Sequence, residues 1–156
     1  MQTTGEGVDF TVLYRQLSSF DTPSPPSAAG GAGAHLVLEA LEEGGMGGCF
    51  YEPLREETRA QWLAWCESYV SRLQADGRDN AERRAEQRAT SPKFVARNWM
   101  LVTAYEAAYE GDYSVIAELQ ELLRAPYEEQ SAALSKKYYR KAPAWAREMP
   151  GVKFMS

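Results

Sequence analysis

Apolar residues recur at helical rather than strand spacing along most of this chain. Phe10, Leu13, Tyr14 and Leu17 stand at i, i+3, i+4 and i+7, which places them on one face of a predicted helix. Asp9 precedes them as a predicted N-cap, and Pro23, Pro25 and Pro26 end any helix beyond. A second, short helix is predicted over His35–Glu43, presenting Leu36, Val37, Ala40 and Leu41 and stopped by Gly44 and Gly45. The strongest stripe lies in Leu54–Leu73, where Trp62, Cys66, Tyr69, Val70 and Leu73 share a face. Glu56 and Glu57 at its start and Arg72 near its end suit the helix dipole, and Gly77 punctuates it. Asn80 is a predicted cap for a charged helix reaching about Ala89.

Ser91-Pro92 reads as an N-cap followed by proline at the first helical position. The helix predicted from there puts Phe94, Asn98, Leu101, Val102, Tyr105 and Ala108 on one face and ends at Gly111. Asp112 caps the next, whose Val115, Ile116, Leu119, Leu122 and Leu123 form a stripe closed by Pro126. A polar and aromatic stretch follows, then a last turn at Pro143–Ala146 and an extended tail, PGVKFMS. Nothing alternates as a half-buried strand does, so the expected fold class is all-α. The expected organisation is a helical segment over 1–21, a Pro/Gly/Ala-rich linker with a short helix over 22–50, and a helical region over 51–156.

Composition narrows the partners. The 156 residues carry a net charge of −5, from 17 basic and 22 acidic side chains. Nucleic acid and anionic membranes reward a basic patch, and this balance argues against both. The one basic cluster, Arg78–Arg88, is interleaved with Asp79, Glu82 and Glu86 and reads as a solvated helix face. No segment approaches the roughly 20 apolar residues that span a bilayer. The opening MQTTGEGVDF lacks the basic and apolar regions of a secretory signal. A soluble chain without a readable address is expected.

Candidate chemistry is sparse. The runs GGAGA and GGMGG have the glycines of a phosphate loop but no preceding strand and no Lys-Ser or Lys-Thr after them, so they read as flexible linker. His35 is the only histidine and has no nominated partner, which suggests an exposed or capping role. Cys49 and Cys66 with His35 fall short of a zinc site; Cys66 reads as a buried small hydrophobe and Cys49 as exposable. Glu42-Glu43, Glu56-Glu57 and Glu128-Glu129 are adjacent pairs, which point apart on a helix. Trp62, Tyr69, Phe94 and Tyr105 read as core aromatics rather than a stacking platform. Asn98, between Arg97 and Trp99, reads as a polar group on a buried face that pins its helix to neighbouring backbone, with direct functional contact as the alternative. No residue is nominated as catalytic, cofactor-binding or metal-ligating. Many apolar stripes for so few helices suggest a part of something larger.

The run Pro92-Lys93-Phe94-Val95-Ala96-Arg97-Asn98-Trp99 resembles a motif near the carboxy terminus of the selenoprotein O family. Ala107-Ala108-Tyr109-Glu110-Gly111-Asp112-Tyr113-Ser114, Leu122-Leu123-Arg124-Ala125-Pro126-Tyr127-Glu128-Glu129-Gln130 and Pro143-Ala144-Trp145-Ala146 follow in the family's order. Upstream, Asp9-Phe10-Thr11 with Arg15, Leu17 and Ser18, and Trp62-Leu63 with Trp65, are similar to two further family motifs. The resemblance implies a protein adenylyltransferase with a kinase-like fold, moving AMP from magnesium-bound ATP to Ser, Thr or Tyr hydroxyls of proteins. The family's glycine-rich, lysine and acidic motifs lie before this region, so its catalytic residues carry over to no position here. The resemblance thus implies a C-terminal helical fragment whose partners are a missing N-terminal kinase-like domain and, for the whole protein, protein substrates. Such a fragment, alone, is expected to be inactive and to bind neither ATP nor Mg2+. Family members continue past the position of Ser156 with cysteine or selenocysteine, and the hypothesis is a UGA codon read as a stop, with ordinary truncation as the alternative. The location implied is mitochondrial for a eukaryotic source and cytoplasmic for a bacterial one. A stand-alone helical interaction module without catalysis is the competing reading.

Overall fold

A computed structural model describes residues 7–22 and 30–150. Among these residues the chain is all-α, with eight helices and, outside them, a single antiparallel bridge between Val8 and Phe50. Two compact units divide it at Ser91/Pro92.

In the first unit, α1 (Phe10–Leu17) begins at Asp9, whose Oδ1 accepts the Val12 N–H at 3.1 Å, the cap expected from the sequence. Its buried face is Val12, Leu13, Arg15 and Leu17, while Phe10 and Tyr14 point to solvent. The stripe read from periodicity is therefore corrected. Arginine belongs on the inner side because its guanidinium donates to the carbonyls of Arg88 (3.1 Å) and Ser91 (3.0 Å), so this cation satisfies carbonyls at a helix C-terminus.

α2 (Gly30–Gly47) is longer than the expected His35–Glu43 and includes glycine runs read as flexible linker. Ala34, Val37, Leu38 and Leu41 are fully buried, and Leu36 is exposed. Burial against α1 and α3 overrides the poor helix propensity of glycine. α2 ends at Gly47, with Gly48 just beyond it at a φ of 69°. A Cβ at Gly48 would lie 2.1 Å from the Glu42 carbonyl oxygen, so only glycine fits. The turn also buries Cys49 completely, contrary to its expected exposure, because the Cys49 N–H and C=O bond to Leu41 and Asp9.

α3 (Glu56–Asp76) buries Cys66, Val70 and Leu73 and half-buries Trp62 and Tyr69, as the stripe predicts, and stops at Gly77 with a left-handed φ of 59°. α4 (Asn80–Thr90) is capped by Asp79, not Asn80: the Asp79 carboxylate accepts from Ala81 and Glu82. Asn80 instead exchanges hydrogen bonds with Thr22 at 2.8–3.2 Å. The basic cluster is likewise not simply solvated. Arg83 is buried on Phe20 O and Asn80 Oδ1, Arg84 pairs with Asp21, and Arg88 donates to Ser19 Oγ. One side of α4 holds the segment that leaves α1.

In the second unit, Ser91-Pro92 does not start a helix. Ser91 is the C-cap of α4, residues 92–97 are irregular, and α5 (Asn98–Tyr109) begins after Arg97. The Lys93 and Phe94 N–H groups both donate to Pro126 O, at 2.9 and 3.1 Å, and that bond takes the place of helical ones. α5 forms a hairpin with α6 (Ser114–Arg124), which buries Leu119 and Leu122. Gly111, at φ 86°, makes the turn, and Asp112 Oδ1 accepts the Ser114 N–H at 2.8 Å. α7 (Ala132–Tyr138), capped by Ser131, occupies what reads in sequence as an irregular polar stretch. α8 (Ala144–Glu148) is the expected last turn. The tail beyond Pro150 and the proline run over 23–29 lie outside the described residues.

Candidate functional site

The most constrained polar centre of the second unit is Lys93. Its ammonium donates to Glu129 O (3.0 Å), Glu129 Oε2 (2.8 Å) and Ser135 Oγ (3.0 Å). It also lies over the rings of Phe94 (5.6 Å) and Tyr139 (5.3 Å). All three donor protons of the amine are thus directed to acceptors, and the side chain is only 10% exposed. Ser135 Oγ itself donates to Glu129 O. Gln130 follows in the left-handed region at φ 57° and donates its Nε2 to Ala125 O. Two stretches singled out in the sequence, 92–99 and 122–130, therefore meet through backbone and an enclosed cation. The arrangement holds chain segments together.

Beside it stands a second centre. Trp99 is buried and stacks on Tyr138, with the Arg140 guanidinium 4.8 Å from the indole. The Glu118 carboxylate accepts from both Lys137 and the Tyr138 hydroxyl, and those two bonds, the lysine's foremost, hold its pKa below the usual glutamate range. Trp99 Nε1 is buried without a hydrogen-bond partner.

The residues weighed as chemistry are dispersed. His35 lies exposed within α2 rather than at a helix start. Glu42 pairs with Arg59 at 2.9 Å while Glu43 faces solvent. Glu56, Glu57 and Glu128 are exposed; Glu129 alone of the acidic pairs holds a buried amine. Burial, helped by the Glu42 charge, pushes the Cys66 thiol up to about 11, so it is a neutral, unreactive thiol at pH 7. Asn98 is half-buried, and Phe94 is in the core as expected; Tyr105 is not, standing 67% exposed. Among the described residues, no three His, Cys, Asp or Glu side chains gather as metal ligands, and no helix is long and apolar enough to cross a membrane. Lys93 and Glu129 both stand in the motifs quoted from the sequence, but the bond between them, 36 residues apart, is not foreseen there.

No protein-family model matches the chain. It is similar to proteins named protein nucleotidyltransferase YdiU. The one from Azoarcus sp. strain BH72 is 32% identical over 150 residues, covering 96% of this chain and 25% of that protein. The one from Rhodopirellula baltica is 33% identical over 153 residues, covering 95% and 27%. The one from Xanthomonas oryzae pv. oryzae is 35% identical over 108 residues, covering 69% and 20%. The chain spans about a quarter of the length of the curated relatives it matches. Similarity running through nearly the whole chain makes it a member of the YdiU family.

Proposed function

We propose that this chain is the helical, non-catalytic portion of a protein adenylyltransferase. The observation that carries the reading is the similarity, over 95–96% of this chain, to proteins bearing the nucleotidyltransferase name. In the reaction proposed for the whole protein, a substrate Ser, Thr or Tyr hydroxyl oxygen attacks the α-phosphorus of magnesium-bound ATP. A phosphodiester to AMP forms, pyrophosphate leaves, and the hydroxyl proton passes to a base. ATP, magnesium and base all belong to the kinase-like part that lies outside this chain. The role left for this chain is architectural: the enclosed Lys93 and the Trp99–Tyr138 stack fix helices that brace that part. The place of action follows the source, cytoplasmic in a bacterium and mitochondrial in a eukaryote.

The test has two arms. Isothermal titration of the 156-residue chain with Mg-ATP is expected to show no binding, and micromolar binding would overturn the assignment of nucleotide contacts to another part. A chimera in which this chain replaces the matched quarter of the Azoarcus relative is expected to transfer label from α-phosphate-labelled ATP to protein. A folded chimera without transfer, beside an active parent, would favour the stand-alone interaction module.

A further inference from the structure

α5 is apolar on two sides. Of its twelve residues, NWMLVTAYEAAY, one is charged. Trp99, Met100 and Ala104 are buried within the unit. Leu101, Tyr105 and Tyr109, at i, i+4 and i+8, project from the opposite side, with Tyr105 67% and Tyr109 90% exposed. Tyr113, at the tip of the hairpin, and Ile116 on α6 are exposed as well. A helix apolar around its circumference is normally enclosed, and clustered exposed aromatics mark a contact surface.

Charge restricts what fits. Glu106, Glu110 and Asp112 each adjoin one of these tyrosines in sequence, while Glu118 and Glu121 on α6 are matched by Lys137 and Arg124. A second copy would set the same acids against themselves, and nucleic acid or anionic lipid would be repelled. The occupant must combine apolar area with a basic rim. The Azoarcus relative has 75% of its length outside the matched 25%, ample chain to supply such a surface.

We infer that the Leu101–Tyr105–Tyr109 face of α5, with Tyr113, docks on an apolar patch with a basic rim in the nucleotidyltransferase part of the full-length protein. The inference rests on the proposed function for the identity of that part. Hydroxyl-radical footprinting read by mass spectrometry compares the free 156-residue chain with the chimera described above. Labelling of Tyr105 and Tyr109 is expected to fall about tenfold in the chimera, as in a desolvated interface core. Tyr127, 46% exposed and outside both helices of the hairpin, serves as the reference and is expected to change little. Equal labelling of Tyr105 and Tyr109 in both proteins overturns the docking face even if the chimera transfers AMP. Protection in the free chain that grows with its concentration assigns the face to a second copy and also overturns it. Protection in a chimera that transfers no AMP keeps the docking face and sinks the proposed activity instead.

Discussion

Replacing Lys93 by methionine keeps most of the side-chain length, removes the ammonium and exchanges one methylene for sulfur. Three hydrogen bonds disappear, to Glu129 O, Glu129 Oε2 and Ser135 Oγ, along with the cation's place over two rings. Bonds from a charged donor to neutral acceptors are worth about 1.5 kcal/mol each at the low end, so the carbonyl and the hydroxyl together lose about 3 kcal/mol. The Glu129 side chain is 55% exposed, so its pairing adds about 0.5 kcal/mol and the freed carboxylate returns to water. Glu129 O keeps the Ser135 hydroxyl as a donor and is not orphaned. Methionine no longer carries a desolvated charge, which returns about 1 kcal/mol. The net expectation is a loss of about 2–3 kcal/mol in the second unit. Since the two units need not unfold together, the measurement is native-state hydrogen exchange at the Lys93 and Phe94 amides, both bonded to Pro126 O. A loss of that size opens them about 30–150-fold faster. Exchange within a factor of two of the wild type would show that the enclosed amine is incidental.

Gly48→Ala is expected to cost at least about 2–4 kcal/mol, because the new Cβ meets backbone at 2.1 Å on a left-handed residue. Gly77→Ala, with open space at φ 59°, should cost only about 1 kcal/mol; thermal melts showing equal losses would refute the distinction. Both thiols are fully buried and Cys66 is pushed up to about 11, so neither should react with a disulfide reagent at pH 8 until denaturant is added. Prompt native labelling of either would contradict the packing. Glu118 has a folded-state pKa below the unfolded one, so its contribution is complete above the ordinary glutamate range and fades as pH falls through the depressed value. Acid titration of the wild type should therefore show a destabilisation that Glu118→Gln lacks, and parallel acid profiles for the two proteins would refute it.

Periodicity located every long helix but not always its inner side. In α1 and α5 the apolar residues encircle the axis, and spacing alone cannot say which half a neighbour covers. Phe10, Tyr14 and Tyr105 thus share a stripe with inward residues in the sequence and stand outward in the structure. The glycines of α2 speak for a linker, and only contact with α1 and α3 reveals that Val37, Leu38 and Leu41 anchor a helix through them. At Ser91-Pro92 the local start signal is sound chemistry, but Pro126 O, 32 and 33 residues on, captures the two N–H groups that follow. The Lys93 centre was illegible for the same reason: its acceptors are 36 and 42 residues away.

The glycine content of α2 fixes a hierarchy of assembly. Six of its eighteen residues are glycine, a handicap of about 5 kcal/mol against alanine, so the segment is a coil until a template exists. α3, with no glycine among its 21 residues, is the natural template, and Val70 lies 3.3 Å from where a Cβ at Gly33 would stand. Lesions in α3 should therefore dissolve both helices at once, whereas lesions in α2 should leave α3 wound, an asymmetry that makes the glycine-rich helix the first part of this unit to be lost under stress.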